Sequence, residues 1–302
     1  DKPAVFCKTA GLRVFAANSK IRKIMERPLT ILCTPLPDGS IIELDGWRRA
    51  LEAALEPWLD DRQLAHVRRF GRSPNGQAET PEAQQNVLRA ALSRLLARAQ
   101  LVTHAAQQAK APFSTATGPM PHLDMDTQGR PLLPGWHAAF SHSGEAAFCA
   151  LCPGPADAEL ASHAMPPHAL DAESLLSLPP APNAFAPSEL PRRETGFSQQ
   201  SINREALRRW TIKEALLKAS GLGLGMDPAR VPTGGFGQRA GIWHGPMGVF
   251  YWRSLPSPGH WLSVAQQVSA KTAFQPELFR PLVLRQSPTT LLRALSALRP
   301  RV

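Results

Sequence analysis

The sequence predicts a mixed fold of the α+β class, and three observations lead to this prediction. Short apolar segments bounded by Pro, Gly and Ser, such as 146–152, have the length and composition of buried strands. A segment after residue 80 repeats apolar side chains with helical spacing. Residues 203–220 are apolar on two sides, as expected for a largely buried helix. A chain of 302 residues is long enough for one large domain or two modest ones.

The N-terminal half is predicted to begin with a strand at 30–36. We expect residues 1–28, which are partly basic and lack periodicity, to be an extension that is either native or foreign to the domain. Helices follow near 46–59 and 61–70. A third helix starts at Thr80-Pro81, an N-cap followed by Pro in the first helical position. Its apolar residues share one face: Val87, Leu88, Ala91, Leu92, Leu95 and Leu96.

The second half alternates strands with one long helix. Two strands at 138–141 and 146–152 are joined at Ser143-Gly144. Prolines crowd residues 153–191, so only short elements fit there, such as a strand at 169–173. The helix at 203–220 ends at Gly221. The remaining predicted elements are strands near 248–253 and 260–266 and a short helix at 289–298.

The net charge of +10 is typical of proteins that meet polyanions, such as a nucleic acid, a phosphorylated cofactor or an acidic protein. The arginines are scattered and form no compact basic run, which argues against a nucleic-acid interface. The sequence contains no run of 18 apolar residues, so it predicts no membrane span, and the N-terminus shows no secretory signal. We therefore expect a cytoplasmic protein without a membrane partner.

Cys149 and Cys152 have the C-x-x-C spacing of metal and redox sites. A zinc site would need a second such pair or histidines at ligand spacing, and the sequence offers neither. Residues three apart on a strand face opposite sides of the sheet. We interpret the two cysteines as unrelated core thiols.

The most informative segment is the helix that carries Glu214 and Lys218. At 100° per residue, these two side chains lie about 40° apart, each about 20° from Leu207, on a helix with two apolar sides. They are therefore expected in an interior or a cleft, although an exposed i,i+4 ion pair has the same spacing. The glycines from Gly221 onward follow the helix, so they indicate a C-cap and not a phosphate-binding loop.

Residues 210–224 match every specified position of W-[ST]-x-K-E-[AS]-x-x-K-x-x-G-x-G-L. This pattern resembles the signature of the 4′-phosphopantetheinyl transferase superfamily, in its broad, surfactin-synthetase-activating type. Further segments resemble other motifs of the family, in the expected order: 87–89, 129–131, 140–144, 170–173 and 185–190. Two positions depart from the usual pattern, since Arg130 replaces a lysine and Ala169 replaces a glycine.

The resemblance implies two similar α/β subdomains packed as a pseudo-dimer, with the active site in the cleft between them. The N-terminal subdomain would span 29–150. The C-terminal subdomain, with the metal and catalytic residues, would span 151–275. Residues 276–302 would form a C-terminal tail. By analogy of fold, the family type implies a monomer.

The implied activity is transfer of 4′-phosphopantetheine from coenzyme A to a serine of an apo acyl- or peptidyl-carrier protein, releasing 3′,5′-ADP. The implied cofactor is Mg²⁺, held by Asp171, Glu173 and Glu214. Carboxylates at i and i+2 of a strand point to one face, as such a site requires. Glu214 is the candidate general base, Glu189 is the alternative, and Lys218 would stabilise negative charge on the reacting oxygens.

The resemblance also implies the residues that bind coenzyme A. These are Arg130, Ser141, His142 and Lys218, whereas the early basic residues of the family have only Arg68 and Arg69 as candidates. A second D-x-E segment, Asp157 to Glu159, competes with Asp171 and Glu173 for the metal. The intervals to Glu189 and Glu214 favour the later pair.

Two alternatives to this enzyme come from different classes. A non-catalytic relative would bind coenzyme A but would tolerate loss of the base. A basic nucleic-acid-binding protein would show salt-sensitive binding and no need for Asp171 or Glu214. The sequence does not choose among carriers of fatty-acid, polyketide and nonribosomal-peptide synthesis.

Overall fold

A computed structural model of the chain describes residues 29–70, 80–108, 123–125, 130–153, 168–189, 196–268 and 281–298. These residues form two sheets and five α-helices, which confirms the predicted α+β class. The helices are α1 (Ile41–Leu55), α2 (Asp61–Phe70), α3 (Pro81–Gln108), α4 (Gln199–Ser220) and α5 (Pro288–Ala297). The strands are β1 (Thr30–Pro35), β2 (Asp124–Met125), β3 (Pro131–Leu133), β4 (Trp136–His142), β5 (Ala146–Pro153), β6 (His168–Ser174), β7 (Ala240–Gly245), β8 (Gly248–Ser257), β9 (His260–Val268) and β10 (Leu282–Arg285).

The first sheet has the order β10-β1-β5-β4-β3-β2. Its β1–β10 pair is parallel, and its other pairs are antiparallel. Helix α3 covers one face because its apolar stripe, including Leu88, Leu92 and Leu95, is buried with the sheet residues Leu32 and Cys149. The sheet thereby presents the β4–β5 hairpin at its centre, with the bend at residues 143–145.

The second sheet is antiparallel, with the order β6-β9-β8-β7. Helix α4 packs across it through a core that includes Ile212, Leu216, Phe250 and Trp252. Both apolar sides predicted for this helix are buried. One side packs on the sheet, and the other lies beside the cleft described below. In the strand register, Asp171 of β6 lies opposite Ser263 of β9.

The two sheets share a second core between them. Phe148 of the first sheet is buried with Leu170, Leu262 and other residues of the second. At the rim of this interface, Ser143 Oγ and His260 Nε2 are 2.8 Å apart in a hydrogen bond. The hairpin and strands β6 and β9 are therefore held together by both apolar burial and a buried polar contact.

Helix ends follow the predicted chemistry. Thr80 Oγ1 accepts a hydrogen bond from the Ala83 amide at 3.2 Å, so it caps α3. Gly221 ends α4 in the left-handed region, with φ of 72°, where a side chain would be strained. Helix α1 begins earlier than the predicted residue 46, since Ser40 and Glu43 form a capping box there.

Four strands were not predicted, and two of them, β2 and β3, are only two and three residues long. Strand β7 contains Gly241 and alternates weakly, and β10 is four residues long with mostly exposed side chains. Strand β10 extends the first sheet beside β1, and Leu291 and Leu295 of α5 pack in the core of that half. Both elements lie in the segment that the sequence analysis treats as a tail. The division into subdomains stays a prediction, and residues 1–28 lie outside the described residues.

Cys149 and Cys152 belong to different cores on opposite faces of β5, as the sequence analysis expects of unrelated thiols. Burial raises the pKa of both thiols, that of Cys152 to about 12. Both are therefore protonated at neutral pH and unsuited to metal binding. Within the ranges given above, none of the helices is long and apolar enough to cross a membrane.

Candidate functional site

A cavity of about 710 Å³ lies between the two sheets. Strand β4 and helix α3 contribute to it from the N-terminal half, and β6 and α4 from the C-terminal half. Seven of the eight residues predicted for metal, base or coenzyme A binding line this cavity: Arg130, Ser141, His142, Asp171, Glu173, Glu214 and Lys218. Its other charged or aromatic lining residues are His66, Arg94, Arg98, Phe140, His168 and Trp210.

Three carboxylates form what we call the acidic cluster: Asp171, Glu173 and Glu214. The first two alternate along β6 and so point to the same face, which α4 covers. Glu214 comes from α4, on the same helical stripe as Lys218. The side chain of Asp171 is only 7% exposed, so its charge is largely withdrawn from water.

Lys218 forms ion pairs with this cluster. Its Nζ lies 2.5 Å from Asp171 Oδ1 and 3.9 Å from Glu214 Oε2. Burial disfavours the ammonium charge, but Asp171 and the glutamates outweigh it and raise the pKa of Lys218. Ser141 Oγ also donates to Asp171 Oδ1, at 3.3 Å, which links the two sheets at the cavity wall.

The acidic cluster carries more negative charge than its surroundings balance. Burial, followed by the charge of Asp171, raises the pKa of Glu173 to about 7. Burial and Asp171 also raise the pKa of Glu214. Glu173 therefore holds its proton up to about neutral pH, and a bound cation would replace that proton.

The donor set fits a divalent cation such as Mg²⁺. Asp171 Oδ2 is buried and has no hydrogen-bond partner among the described residues, so an acceptor is left unsatisfied inside the cluster. The described residues contain no group of three or more His, Cys, Asp or Glu arranged as a complete metal site. Mg²⁺ does not require one, because it binds through one or two carboxylates with phosphate oxygens and water.

His66, Arg94 and Arg98 form a basic cluster in the same cavity. Arg98 is held in place, since its Nε donates to Gln63 Oε1 at 2.7 Å and its guanidinium lies 5.3 Å from the centre of the Phe140 ring. Burial, and then the charge of Arg94, lowers the pKa of Arg98 to about 10. Burial and the neighbouring arginines lower the pKa of His66 to about 4. Such mutual repulsion favours an anion in this part of the cavity.

His142 and Arg130 line the same cavity as the basic cluster. Withdrawal from water, followed by the charges of Arg94 and Lys218, lowers the pKa of His142 to about 4. His142 is therefore neutral at pH 7 and would offer a phosphate a hydrogen bond instead of a full charge.

Glu189 does not line the cavity. Its Oε2 lies 2.7 Å from the buried Lys213 Nζ, and its Oε1 accepts hydrogen bonds from Thr233 N at 3.0 Å and Thr233 Oγ1 at 2.7 Å. Burial would raise the pKa of Glu189, but the hydrogen bonds from Lys213 and Thr233 outweigh it and lower that pKa. A carboxylate with these partners is a structural anion and a poor proton acceptor.

The sequence analysis did not find the basic cluster. Arg94 and Arg98 are four residues apart, on the same face of α3 as Ala91 and Leu95. Two charged residues on an otherwise apolar helix face could have indicated the basic cluster. The sequence candidates Arg68 and Arg69 end α2 and do not line the cavity, although Arg69 lowers the pKa of Arg94. Asp157 and Glu159 lie outside the described residues.

We expect Glu173→Gln to stabilise the metal-free protein at pH 8. The folded protein keeps the Glu173 proton up to about pH 7, whereas the unfolded chain loses it near its ordinary pKa of 4.5. Stability from this group is thus greatest below pH 4.5 and falls as the pH rises to 7. Urea unfolding in EDTA should show a gain of about 1–3 kcal/mol at pH 8 and little change at pH 4. An equal gain at both pH values would contradict the charge explanation.

Comparison with known proteins relates part of this site to a protein family. Residues 169–267 match the model of the 4′-phosphopantetheinyl transferase superfamily, a segment that includes β6, α4 and strands β7 to β9. The search of curated proteins found no match. The matched segment contains the whole acidic cluster and Lys218, whereas the basic cluster lies outside it.

Proposed function

Residues 169–267 belong to the 4′-phosphopantetheinyl transferase superfamily, and on that premise we propose that the protein is a holo-carrier-protein synthase. It transfers the 4′-phosphopantetheine of coenzyme A to a serine of an apo acyl- or peptidyl-carrier protein. Transfer of phosphopantetheine is the general activity that the superfamily suggests. The acceptor protein and the residue roles below are part of the proposal.

The observation that carries the proposal is the placement of Glu214 and Lys218. Both belong to the signature helix, and both line the cavity with Asp171 and Glu173. Lys218 Nζ lies 2.5 Å from Asp171 Oδ1, so the helix and β6 present their charged groups to one another. A cavity with a base, a cation and an unsatisfied carboxylate oxygen, Asp171 Oδ2, is suited to a reaction at a pyrophosphate.

In the proposed reaction, Glu214 accepts the proton of the carrier serine, directly or through one water. The serine oxygen forms a bond to the phosphorus that carries pantetheine. The bond from this phosphorus to the bridging oxygen breaks, and 3′,5′-ADP leaves with that oxygen. Lys218 stabilises the negative charge that develops on the bridging oxygen. Burial favours Glu214 as a base because it raises the pKa of this carboxyl group towards neutrality.

Asp171, Glu173 and Glu214 are the residues that would hold Mg²⁺. When bound, the ion neutralises pyrophosphate charge and acts as a Lewis acid towards the reacting phosphate. Arg130, His142 and the basic cluster would bind the remaining phosphates of coenzyme A. Arg98 suits this role, because Gln63 and Phe140 hold its side chain in one orientation before any ligand binds.

The test is to incubate the protein with coenzyme A, Mg²⁺ and a panel of apo carrier proteins and to measure intact carrier mass. The expected result is a gain of one phosphopantetheine group, which EDTA abolishes. The carriers that react would define the pathway among fatty-acid, polyketide and nonribosomal-peptide synthesis. Binding of coenzyme A without any mass gain across the panel would support a non-catalytic relative instead.

Two further properties belong to the proposal. A monomeric state follows from the family type and is testable by light scattering. The second property is a cytoplasmic location, which the sequence analysis also expects.

A further inference from the structure

A hydrogen bond between a serine and a histidine joins the two sheets beside the cavity. Ser143 belongs to the bend of the β4–β5 hairpin, and His260 is the first residue of β9. Ser143 Oγ lies 2.8 Å from His260 Nε2, and the two residues are only 7% and 6% exposed. The proposed chemistry uses neither side chain. Because a buried polar group without its partner is destabilising, this contact fixes a definite geometry between the sheets.

The direction of the hydrogen bond follows from the other nitrogen of the ring. His260 Nδ1 lies 3.1 Å from the carbonyl oxygen of Pro258, which can only accept, so Nδ1 carries a hydrogen. In the neutral ring Nε2 is then the acceptor, and the Ser143 hydroxyl donates to it. Phe148 also contacts this ring in a T-shaped arrangement, with the ring centres 5.1 Å apart. Three neighbours therefore hold the ring of His260 in place.

A second hydrogen bond joins the same bend to the second sheet. Ser174 Oγ donates to Glu145 Oε2 at 3.1 Å. Ser174 lies opposite His260 in the register of β6 and β9, so the two hydrogen bonds attach one bend of the first sheet to adjacent points of the second. Ser174 is also the last residue of β6. The bend is thereby fixed to the strand that carries Asp171 and Glu173.

The joined segments carry the two sets of residues that the proposed reaction needs. Ser143 directly follows His142, and Ser174 directly follows Glu173. Most of the residues proposed to bind phosphates belong to the first sheet and α3, whereas those proposed to hold Mg²⁺ belong to β6 and α4. Coenzyme A has to contact both sets at once. Their relative position therefore matters, since a displacement of about 1 Å can lower a rate about 100-fold.

We propose that the hydrogen bond between Ser143 and His260 positions the phosphate-binding residues of the first sheet against the acidic cluster of the second. The proposal rests on the proposed function, because the ligand that spans both sets is taken to be coenzyme A. Ser143 and His260 are positioning residues, which act through His142 and its neighbours. Breaking the hydrogen bond should leave each set able to bind its own ligand but weaken the cooperation between the two sets.

The coupling between Mg²⁺ and coenzyme A measures this cooperation. It is the ratio of the coenzyme A dissociation constants that calorimetric titration gives without and with Mg²⁺. We expect a ratio of about tenfold or more in the wild type and about twofold in Ser143→Ala. The kcat for carrier modification should fall about 10- to 100-fold in Ser143→Ala, whereas its affinity for Mn²⁺ alone should not change. Ser143→Thr, which keeps the hydroxyl, should restore both the coupling and kcat.

Two further variants separate positioning from stability. His260→Phe keeps a ring against Phe148 but removes the acceptor, so it should reproduce the losses of Ser143→Ala. The double variant leaves neither partner of the hydrogen bond unpaired. It should therefore regain stability in urea unfolding without regaining the coupling. Thr34→Val is the matched control, since it breaks a buried hydrogen bond of 2.7 Å from Gln100 within the N-terminal half, and it should keep the full coupling.

The outcomes distinguish the inference from the proposed function. Full coupling in Ser143→Ala would overturn the inference. So would a return of coupling together with stability in the double variant, or a loss of coupling in Thr34→Val as large as that in Ser143→Ala. Failure of the wild type to bind coenzyme A, with or without Mg²⁺, would instead refute the proposed function and the inference with it.

Discussion

Glu214→Gln is expected to lower kcat by about 10²–10⁴-fold, because the amide cannot accept the proton of the carrier serine. The substitution preserves shape, and Glu214 makes one weak described ion pair, at 3.9 Å to Lys218, so stability should change little. Binding of 3′,5′-ADP should persist, since the basic groups of the cavity remain. Single-turnover kinetics on a reactive carrier, with calorimetric titration, would measure both quantities.

Glu189→Gln is the matched control, since it removes the alternative base. Glu189 is buried against Lys213, so losing its charge should lower the free energy of unfolding by about 3–5 kcal/mol. The kcat per folded molecule should stay near that of the wild type. The opposite pattern, with kcat lost in Glu189→Gln and kept in Glu214→Gln, would exchange the two roles.

Asp171→Asn is the second substitution with a large expected effect. Asp171 is the most buried carboxylate of the acidic cluster, and its Oδ2 is unsatisfied among the described residues. Removing its charge should weaken metal binding at least about 100-fold, since even residues that only orient a metal ligand contribute 10- to 100-fold. Titration with Mn²⁺, followed by electron paramagnetic resonance, measures this affinity without any turnover.

Asp45→Asn provides the control for Asp171. Asp45 also pairs with a basic side chain, Arg48 at 2.8 Å, but on the exposed face of α1. Its replacement should leave Mn²⁺ affinity and activity unchanged, because exposed ion pairs contribute little. Equal Mn²⁺ affinity in Asp171→Asn and the wild type would remove Asp171 from the metal site and weaken the assignment of Glu173 beside it.

Local patterns predicted most elements of the fold because the elements with strong signals depend on short-range chemistry. The caps at Thr80 and Gly221 lie where Pro81 and the glycines after α4 indicate them. Strand β10 could not be predicted in this way. It is short and exposed, and its place in the sheet depends on pairing with β1, about 250 residues earlier in the chain. Only tertiary pairing makes that segment a strand.

The candidate site shows the same division. The signature helix supplied Glu214 and Lys218, since both lie on one stripe, and the alternation of β6 supplied Asp171 and Glu173. The sequence could not show which charged residues neutralise one another. Lys213 belongs to the signature as Lys218 does, yet it donates to the carbonyls of Pro228 and Val231 and pairs with Glu189 away from the cavity. Pairing of this kind depends on how α4 packs on its neighbours.

The central claim is most directly tested by counting both products of one reaction. Wild-type protein would be incubated with coenzyme A, Mg²⁺ and a reactive apo carrier, or with the same carrier after its acceptor serine is changed to alanine. The account predicts that modified carrier and 3′,5′-ADP form in equal amounts, and that neither forms with the alanine carrier. Release of 3′,5′-ADP without carrier modification, or modification of the alanine carrier, would contradict it.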